Sequence, residues 1–327
     1  MQEKLPIVCD LILLERCNMR CKTCYVWNWK NQGELTFEEY KILLGDLKGL
    51  IGNNCLEVNL SGGEPLLRED IVDLIGLCSK NGFSSSMATN GYLLDREMVK
   101  RILDAGLKKI ILSVASLKEE THDFFRGVAG SYAKLMEAIE HIRKYRPAEK
   151  IYVNTIIKDK NLEDIIDLVN WVQNSDFIEG IGFQAVAQPF YLPKDDFWYE
   201  KKEYSSLWPQ NTSSLHAVID QLIEFKARNY KIGNSTEQLK LFKDYYSNPH
   251  ALIRKTRCNF GDYVVNINPM GEVLLCPFMQ IVGNIKEASI ASIWHSEAII
   301  NTKRRMHECS INCNNIINCW FKSRTEF

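Results

Sequence analysis

Cys17-Asn18-Met19-Arg20-Cys21-Lys22-Thr23-Cys24-Tyr25 puts three cysteines on one short loop, with gaps of three and two residues. The run before it, Ile7-Val8-Cys9-Asp10-Leu11-Ile12-Leu13-Leu14, is apolar apart from Asp10 and reads as a buried strand. Three thiolates at the end of a strand are a soft donor set suited to an iron–sulfur cluster. A [4Fe–4S] cube held by three cysteines keeps one iron open to another ligand, which makes the loop catalytic rather than purely structural. A zinc site closes with four ligands, and no fourth Cys or His lies nearby in the sequence. A distant fourth zinc ligand, or three core cysteines, are the plainer alternatives.

The rest of the composition agrees with metal chemistry in a reducing compartment. The chain has 327 residues, enough for one large core and a smaller appended unit, and a net charge of −1. With no basic block or acidic tail, a nucleic-acid partner is disfavoured. Asp10, Glu15 and Arg16 interrupt the first apolar run, so it does not read as a signal peptide, and no stretch approaches a membrane span. Of the 11 cysteines, Cys9, Cys55 and Cys78 sit singly in apolar runs and are expected in the core. The others fall into two groups, Cys17/Cys21/Cys24 and Cys258/Cys276/Cys309/Cys313/Cys319. Without secretion, grouped cysteines mean metal rather than disulfides, so the chain is expected in the cytoplasm, in an anaerobic cell or niche.

Downstream the sequence alternates strand and helix. Thr36 and Glu39 form a capping box that opens a helix running to about Leu50. Strand 56–60 ends at Ser61-Gly62-Gly63-Glu64-Pro65, where the glycines suggest close approach of a ligand to the backbone. Helix 69–80, strand 84–88, helix 95–105 and strand 109–114 follow, then helix 131–145, strand 151–157, helix 162–173 and strand 178–187. Six such units predict parallel strands with right-handed crossovers, and ligands at the strands' C-terminal ends.

The cysteine triad with Tyr25 directly after it, together with Gly62-Gly63-Glu64-Pro65, resembles the radical S-adenosylmethionine (SAM) superfamily. The resemblance implies an α/β fold, a partial (β/α)6 TIM-like barrel over about 1–230. It implies that Cys17, Cys21 and Cys24 hold a [4Fe–4S] cluster with an open iron that chelates SAM. Ser61, Gly62, Gly63 and Glu64 match the segment that binds the SAM amino group. Thr89 and Asn90 match a third-strand segment near the cofactor, and Ser113 a fourth-strand contact to ribose or carboxylate. Arg126 matches a carboxylate clamp, suited to a bidentate guanidinium, and Asn154 a fifth-strand residue near the ribose. One departure stands out: the acidic residue the family often has after the fourth-strand serine is missing from Ser113-Val114-Ala115-Ser116. Ser113 and Ser116 must then suffice, or Glu119 substitutes.

Residues 188–214 form an aromatic insertion, with Phe190, Tyr191, Phe197, Trp198, Tyr199 and Trp208, expected at the barrel mouth as a lid or a substrate wall. A last barrel helix over 215–229 and a linker helix within 231–254 lead to a different pattern. Runs 263–267 and 273–275 flank Asn268-Pro269-Met270-Gly271, a hairpin that brings Cys258 and Cys276 to one end. Cys309, Cys313 and Cys319 follow, and a zinc knuckle is the plainer alternative. This part, 255–327, resembles the small β-hairpin and helix SPASM/twitch domain of radical SAM enzymes. Five thiols suffice for one auxiliary [4Fe–4S] cluster and leave one spare. The spare, expected at Cys309 or Cys319, is a possible hydrogen-atom donor.

The resemblance implies reductive cleavage of SAM to a 5′-deoxyadenosyl radical that takes hydrogen from a substrate. The electron comes from a donor such as flavodoxin or ferredoxin. With 16 residues before Cys17, no leader-binding domain is expected, which favours a small sugar-like or aminocyclitol substrate and a dehydrogenation or epimerisation. A ribosomal peptide or protein substrate is the alternative, and a non-enzymatic iron–sulfur electron carrier a third. His295 and His307 are expected on helix surfaces, and Asp or Glu of 188–203 are weak candidates for a base.

Overall fold

A computed structural model describes residues 4–29, 33–145, 150–250, 258–309, 313 and 317–318. Its first half is the expected alternation: β1 (Val8–Ile12), α1 (Phe37–Ile51), β2 (Glu57–Ser61), α2 (Ile71–Lys80), β3 (Ser84–Thr89), α3 (Arg96–Asp104) and β4 (Lys109–Ser113). Then come α4 (Glu119–Arg126), α5 (Ser131–Tyr145), β5 (Lys150–Ile157), α6 (Ile165–Asn174) and β6 (Ile178–Ala185). Local chemistry sets the helix starts. The Thr36 hydroxyl accepts the Glu39 N–H at 3.3 Å, and the Glu39 carboxylate accepts the Thr36 N–H at 2.7 Å, closing the capping box. From that start Tyr40, Leu43, Leu44, Leu47 and Ile51 make a buried stripe at helical spacing.

The six strands are parallel and lie in sequence order, β6-β5-β4-β3-β2-β1. A doubly wound sheet reverses its order partway, so unbroken order with right-handed crossovers means an arc of a barrel. In β1, β2 and β4 one face is closed under helices, with Cys9, Leu11, Val58, Leu60, Ile110 and Leu112 buried. The opposite face is half-buried and mostly polar: Asp10, Glu57, Asn59, Ser61, Lys109 and Ser113. Asn59 and Ser61 donate to the Asp10 carboxylate at 2.8 and 2.7 Å, and Lys109 pairs with Glu57 at 3.2 Å. A closed eight-stranded barrel fills its interior with branched apolar side chains. This open arc instead keeps a polar, accessible inner wall.

The second half is α7 (Thr212–Ala227), α8 (Thr236–Ser247), α9 (Phe260–Tyr263), β7 (Val264–Ile267), β8 (Glu272–Leu274), β9 (Gly283–Asn284), α10 (Ile290–Trp294) and α11 (Glu297–Glu308). The expected hairpin is β7 and β8, paired antiparallel. Its docking was not anticipated: β7 runs parallel to β1, from Val8↔Val264 to Leu11↔Ile267. The hairpin, with β9 paired to β8, therefore extends the barrel sheet to nine strands among the described residues. An open barrel leaves one edge of β1 with unpaired N–H and C=O groups, and β7 satisfies them. Two further differences concern the sequence reading. Cys9 and Cys78 are fully buried, but Cys55 is exposed, because it follows α1 in the turn before β2. α11, opened by a Ser296 cap on the Ile299 N–H at 3.4 Å, had gone unread.

Candidate metal centre

Parallel register brings the ends of β1 to β5 onto one rim, with Ile12↔Ser61 and Ser113↔Asn154 as partners. The triad loop crosses this rim and is held from two sides. On one side, Leu13 donates to the Ser61 carbonyl, Gly63 to that of Leu14 and Glu64 to that of Arg16, at 2.9, 2.8 and 3.1 Å. A β-carbon at Gly62 would stand 2.5 Å from the Leu14 oxygen, and one at Gly63 2.0 Å from the Arg16 oxygen. These glycines thus let the triad loop lie on the end of β2. On the other side, Arg20 and Lys22 donate to the carbonyls of Arg126 and Phe125 at 2.8 and 3.0 Å.

Glu64 ties the ends of β2 and β3 together. It is 1% exposed, and its carboxylate accepts from the Thr89 hydroxyl at 2.7 Å, the Asn90 N–H at 2.9 Å and the Leu66 N–H at 3.3 Å. Burial raises its pKa, opposed by these hydrogen bonds. The Asn90 amide reaches on to Asn18 Oδ1 at 2.8 Å, while Asn18 Nδ2 is buried with no partner.

Arg126 ends α4 with its guanidinium turned to the triad. Nη2 donates to the Ser113 carbonyl at 2.5 Å, Nη1 lies 3.8 Å from the Cys21 thiol, and Nε is buried and unpartnered. Burial pushes the Cys17 thiol up to about 12 and that of Cys24 to about 11, the latter opposed by Arg126, so metal loading must displace protons here. Among the described residues no three Cys, His, Asp or Glu side chains close on a single metal ion. Three thiols with the orphaned Asn18 Nδ2 and Arg126 Nε on residues beside them suit a cluster that keeps one iron open to a polar ligand.

Asn154 lies further down the inner wall, beside Ser113, and lines a cavity of about 440 Å3 with Tyr152 and Gln184. Ser116 is not available as a ligand contact. It is fully buried and donates to Asp164 at 2.6 Å, and Lys118 also pairs with that carboxylate. Glu119 sits at the exposed start of α4.

Three residues around the rim were missed in the sequence, and a fourth, Tyr191, was read only as part of the aromatic insertion. Asn161 is buried and bridges the Ala115 and Ile156 carbonyls. His122 accepts the Ala115 N–H on Nδ1 at 3.3 Å, which leaves a buried, unpartnered Nε2. Burial, then Arg126, holds its pKa down to about 3. Lys158, at the end of β5, is 4% exposed, and its ammonium stands 4.0 Å from the Phe125 ring centre. Desolvation, with Arg126 adding to it, lowers its pKa to about 7. Tyr191 holds a left-handed backbone (φ 66°) and donates to Glu15 at 3.5 Å. The first three follow strand ends or sit in helix α4 with no motif around them, and only a positive φ marks Tyr191.

In the second cysteine group, Cys258 and Cys276 are both 8% exposed. Burial raises the Cys276 thiol, and the neighbouring Cys258 and Cys309 raise it further. Cys313 instead lines a cavity of about 330 Å3 with Phe190, Tyr191, Tyr245, Pro277 and Phe278, and Cys319 lies outside the described residues. Phe190 also pairs with the triad loop, its N–H on the Thr23 carbonyl and its carbonyl on the Tyr25 N–H. This cavity therefore opens between the two cysteine groups, walled by the aromatic insertion. The insertion is clamped by Trp208 against Tyr245 and Tyr246, ring centres 5.4 and 5.1 Å away. Asp195 and Asp196, the base candidates there, are paired with Lys201 and Lys194. His295 is exposed as expected, and His307 lies 3.3 Å from Asp262.

The profile of the Radical SAM superfamily matches residues 11–172, and that of the SPASM iron–sulfur cluster-binding domain matches 258–320. The chain belongs to the radical SAM superfamily and carries a SPASM domain. It is 26% identical over 318 residues to the AdoMet-dependent heme synthase of Methanosarcina barkeri, covering 91% of this chain and 84% of that one. It is 27% identical over 312 residues to the PqqA peptide cyclase of Rhodopseudomonas palustris, covering 92% and 76%. Its fold superposes on Streptococcus suis SuiB bound to S-adenosylmethionine with a TM-score of 0.70, at 16% identity, covering 92% and 68%. The family and domain carry a [4Fe–4S] cluster, SAM and an auxiliary cluster. Among the described residues no helix is long and apolar enough to cross a membrane.

Proposed function

We propose that this chain is a radical SAM enzyme that modifies a peptide, with Cys17, Cys21 and Cys24 holding the catalytic cluster. When bound, the cluster and SAM supply a 5′-deoxyadenosyl radical that takes hydrogen from the substrate. The chain's own residues position the parts: Arg126 faces the triad to take the SAM carboxylate, and Asn18, Asn90 and Glu64 form the polar wall opposite. Cys258, Cys276 and Cys309 hold the auxiliary cluster with one further ligand.

The observation that carries the substrate class is the 330 Å3 cavity between the two cysteine groups. Phe190, Pro189, Leu192, Tyr245, Pro277 and Phe278 give it an aromatic and proline wall. Phe190 and Phe278 are 47% and 55% exposed, so hydrophobic surface is held open at the mouth. Gln188, Lys194, Asp195, Asp196, Tyr199 and His250 also line it, so polar groups stand beside the apolar wall. An apolar peptide side chain fits the aromatic part, and the polar groups suit its backbone. Similarity to a PqqA peptide cyclase along 92% of the chain supports the same reading. Similarity to a heme synthase supports a second one, a haem precursor as substrate.

The test is to reconstitute the chain with iron and sulfide, add SAM and dithionite, and offer peptides containing an aromatic or aliphatic residue. Formation of 5′-deoxyadenosine should rise with peptide, and the peptide should change mass. Turnover of a porphyrin or a sugar, with no response to any peptide, would replace the reading.

A further inference from the structure

Lys158 is a desolvated lysine with no carboxylate partner among the described residues. Its side chain is 4% exposed at the end of β5, over Phe125, itself 3% exposed. Among the described residues no carboxylate pairs with it, and the charged neighbours it feels are Arg126 and the Cys21 thiol. Arg126 is itself turned to Cys21, at 3.8 Å, with Nε unpartnered. Phe125, under the Lys158 ammonium, accepts the Lys22 N–H of the triad loop on its carbonyl, so buried Lys158 and half-buried Arg126 lie on one side of the triad. A cation–π contact offsets only part of what it costs to bury an ion. The described residues do not balance this charge, so Lys158 keeps its proton at neutral pH when an anion completes the site.

We propose that Lys158, with Arg126, is the fixed counter-charge on the Cys21 side of the cluster and raises its reduction potential. The proposal rests on the reading that Cys17, Cys21 and Cys24 hold that cluster. Three thiolates make it anionic, and the electron it accepts from an external donor adds one more negative charge without making or breaking a bond. A nearby ammonium stabilises the reduced form more than the oxidised one. Lys158 is a positioning residue in this account: it acts through the cluster and needs no contact with substrate.

The test compares wild type, Lys158→Met and Lys158→Arg as full-length reconstituted chains, titrated with dithionite and followed by electron paramagnetic resonance without SAM. The auxiliary cluster in the same molecule is the internal control. At the wild-type midpoint, Lys158→Met should cut the reduced-to-oxidised ratio of the first cluster at least about tenfold, equivalent to about 59 mV for one electron. Lys158→Arg should stay within about threefold, and the auxiliary signal should not move. At pH 6, below the Lys158 pKa of about 7, the iron-free Lys158→Met chain should melt higher than wild type, because an uncompensated buried charge has gone. If only Lys158→Met fails to load the first cluster while Lys158→Arg loads, charge is again the requirement and the proposal stands. A ratio within about twofold of wild type overturns it. So does an iron-free Lys158→Met chain that melts lower or fails to fold, since Lys158 would then be structural. If the wild type keeps its first cluster after loss of Cys17, Cys21 and Cys24, the underlying cluster assignment has failed instead.

Discussion

A β-carbon on Gly127 would stand 2.3 Å from the carbonyl oxygen of Arg20. The glycine also has φ 65°, the left-handed cap that ends α4. Arg126 therefore reaches Cys21 because residue 127 has no side chain: the helix stops against the triad loop and delivers its last residue there. Gly127→Ala meets a left-handed penalty of about 1–2 kcal/mol and a backbone contact that no rotamer relieves. We expect it to lose iron from the first cluster and to keep the auxiliary iron. Full iron with unchanged SAM cleavage would show that the loop can move away at little cost.

Replacing Cys17, Cys21 and Cys24 together by alanine should remove about four irons per chain and abolish 5′-deoxyadenosine formation. The second cysteine group lies on other elements and should keep its iron. Iron analysis and a SAM-cleavage assay on the triple variant check this. Residual cleavage would move the catalytic cluster elsewhere.

Much of this site was legible because it is written in contiguous motifs. The triad, the Gly62-Gly63-Glu64 turn and the strand–helix period each lie within a few residues, and local chemistry fixes them. What escaped depends on long-range pairing. Nothing in the sequence of β7 says that it adds to β1, more than 250 positions away in register from Val8 to Val264. Lys158 and His122 look like ordinary polar residues until the fold buries them. Ser116 looked free for a ligand until Asp164 came to meet it at 2.6 Å. The glycines at 62 and 63 stand out in the sequence, but that the chain's own loop approaches them follows only from the fold.

Arg126→Ala should weaken SAM binding by about 2–5 kcal/mol while leaving iron content intact. The argument is the orphaned Nε and the open side facing the triad. Arg126→Lys should recover part of the loss, because a point charge replaces a planar fork. Equilibrium binding of SAM to the reconstituted variants decides it, and an unchanged affinity would place the carboxylate clamp on another residue.

His122 gives a stability effect of fixed sign. Its folded pKa of about 3 lies below the unfolded value near 6.5, as burial and then Arg126 and Lys158 oppose its protonation while Asp123 favours it. As pH falls below about 6.5, the unfolded chain takes up a proton that the folded chain refuses. Stability is then lost, by up to about 1.4 kcal/mol per pH unit, until pH approaches 3. Above pH 7 the penalty is absent. His122→Phe, read by thermal melting of the iron-free chain at pH 7.5 and 5.5, should show a smaller drop between the two. An equal drop in both chains would assign the acid sensitivity to other groups.

The second cysteine group should bind one four-iron cluster, for about eight irons per chain with the first. Cys258 and Cys276 are carried by the segment before β7 and the loop after β8, and Cys309 caps the end of α11. The Cys276 thiol is raised by both Cys258 and Cys309, so these three are expected to be ligands and each should cost the auxiliary iron when changed to alanine. The sequence spacing had put the spare thiol at Cys309 or Cys319. We propose Cys313 as the spare, because it lines the mouth cavity with Phe278 and Tyr245. Cys313→Ala should then keep about eight irons. If it also keeps SAM cleavage but loses modified product, the thiol acts on the substrate from the cavity wall. If Cys313→Ala loses the auxiliary iron while Cys309→Ala keeps it, the roles are reversed. About twelve irons in the wild type would sink the arrangement, because five thiols cannot hold two complete cubes.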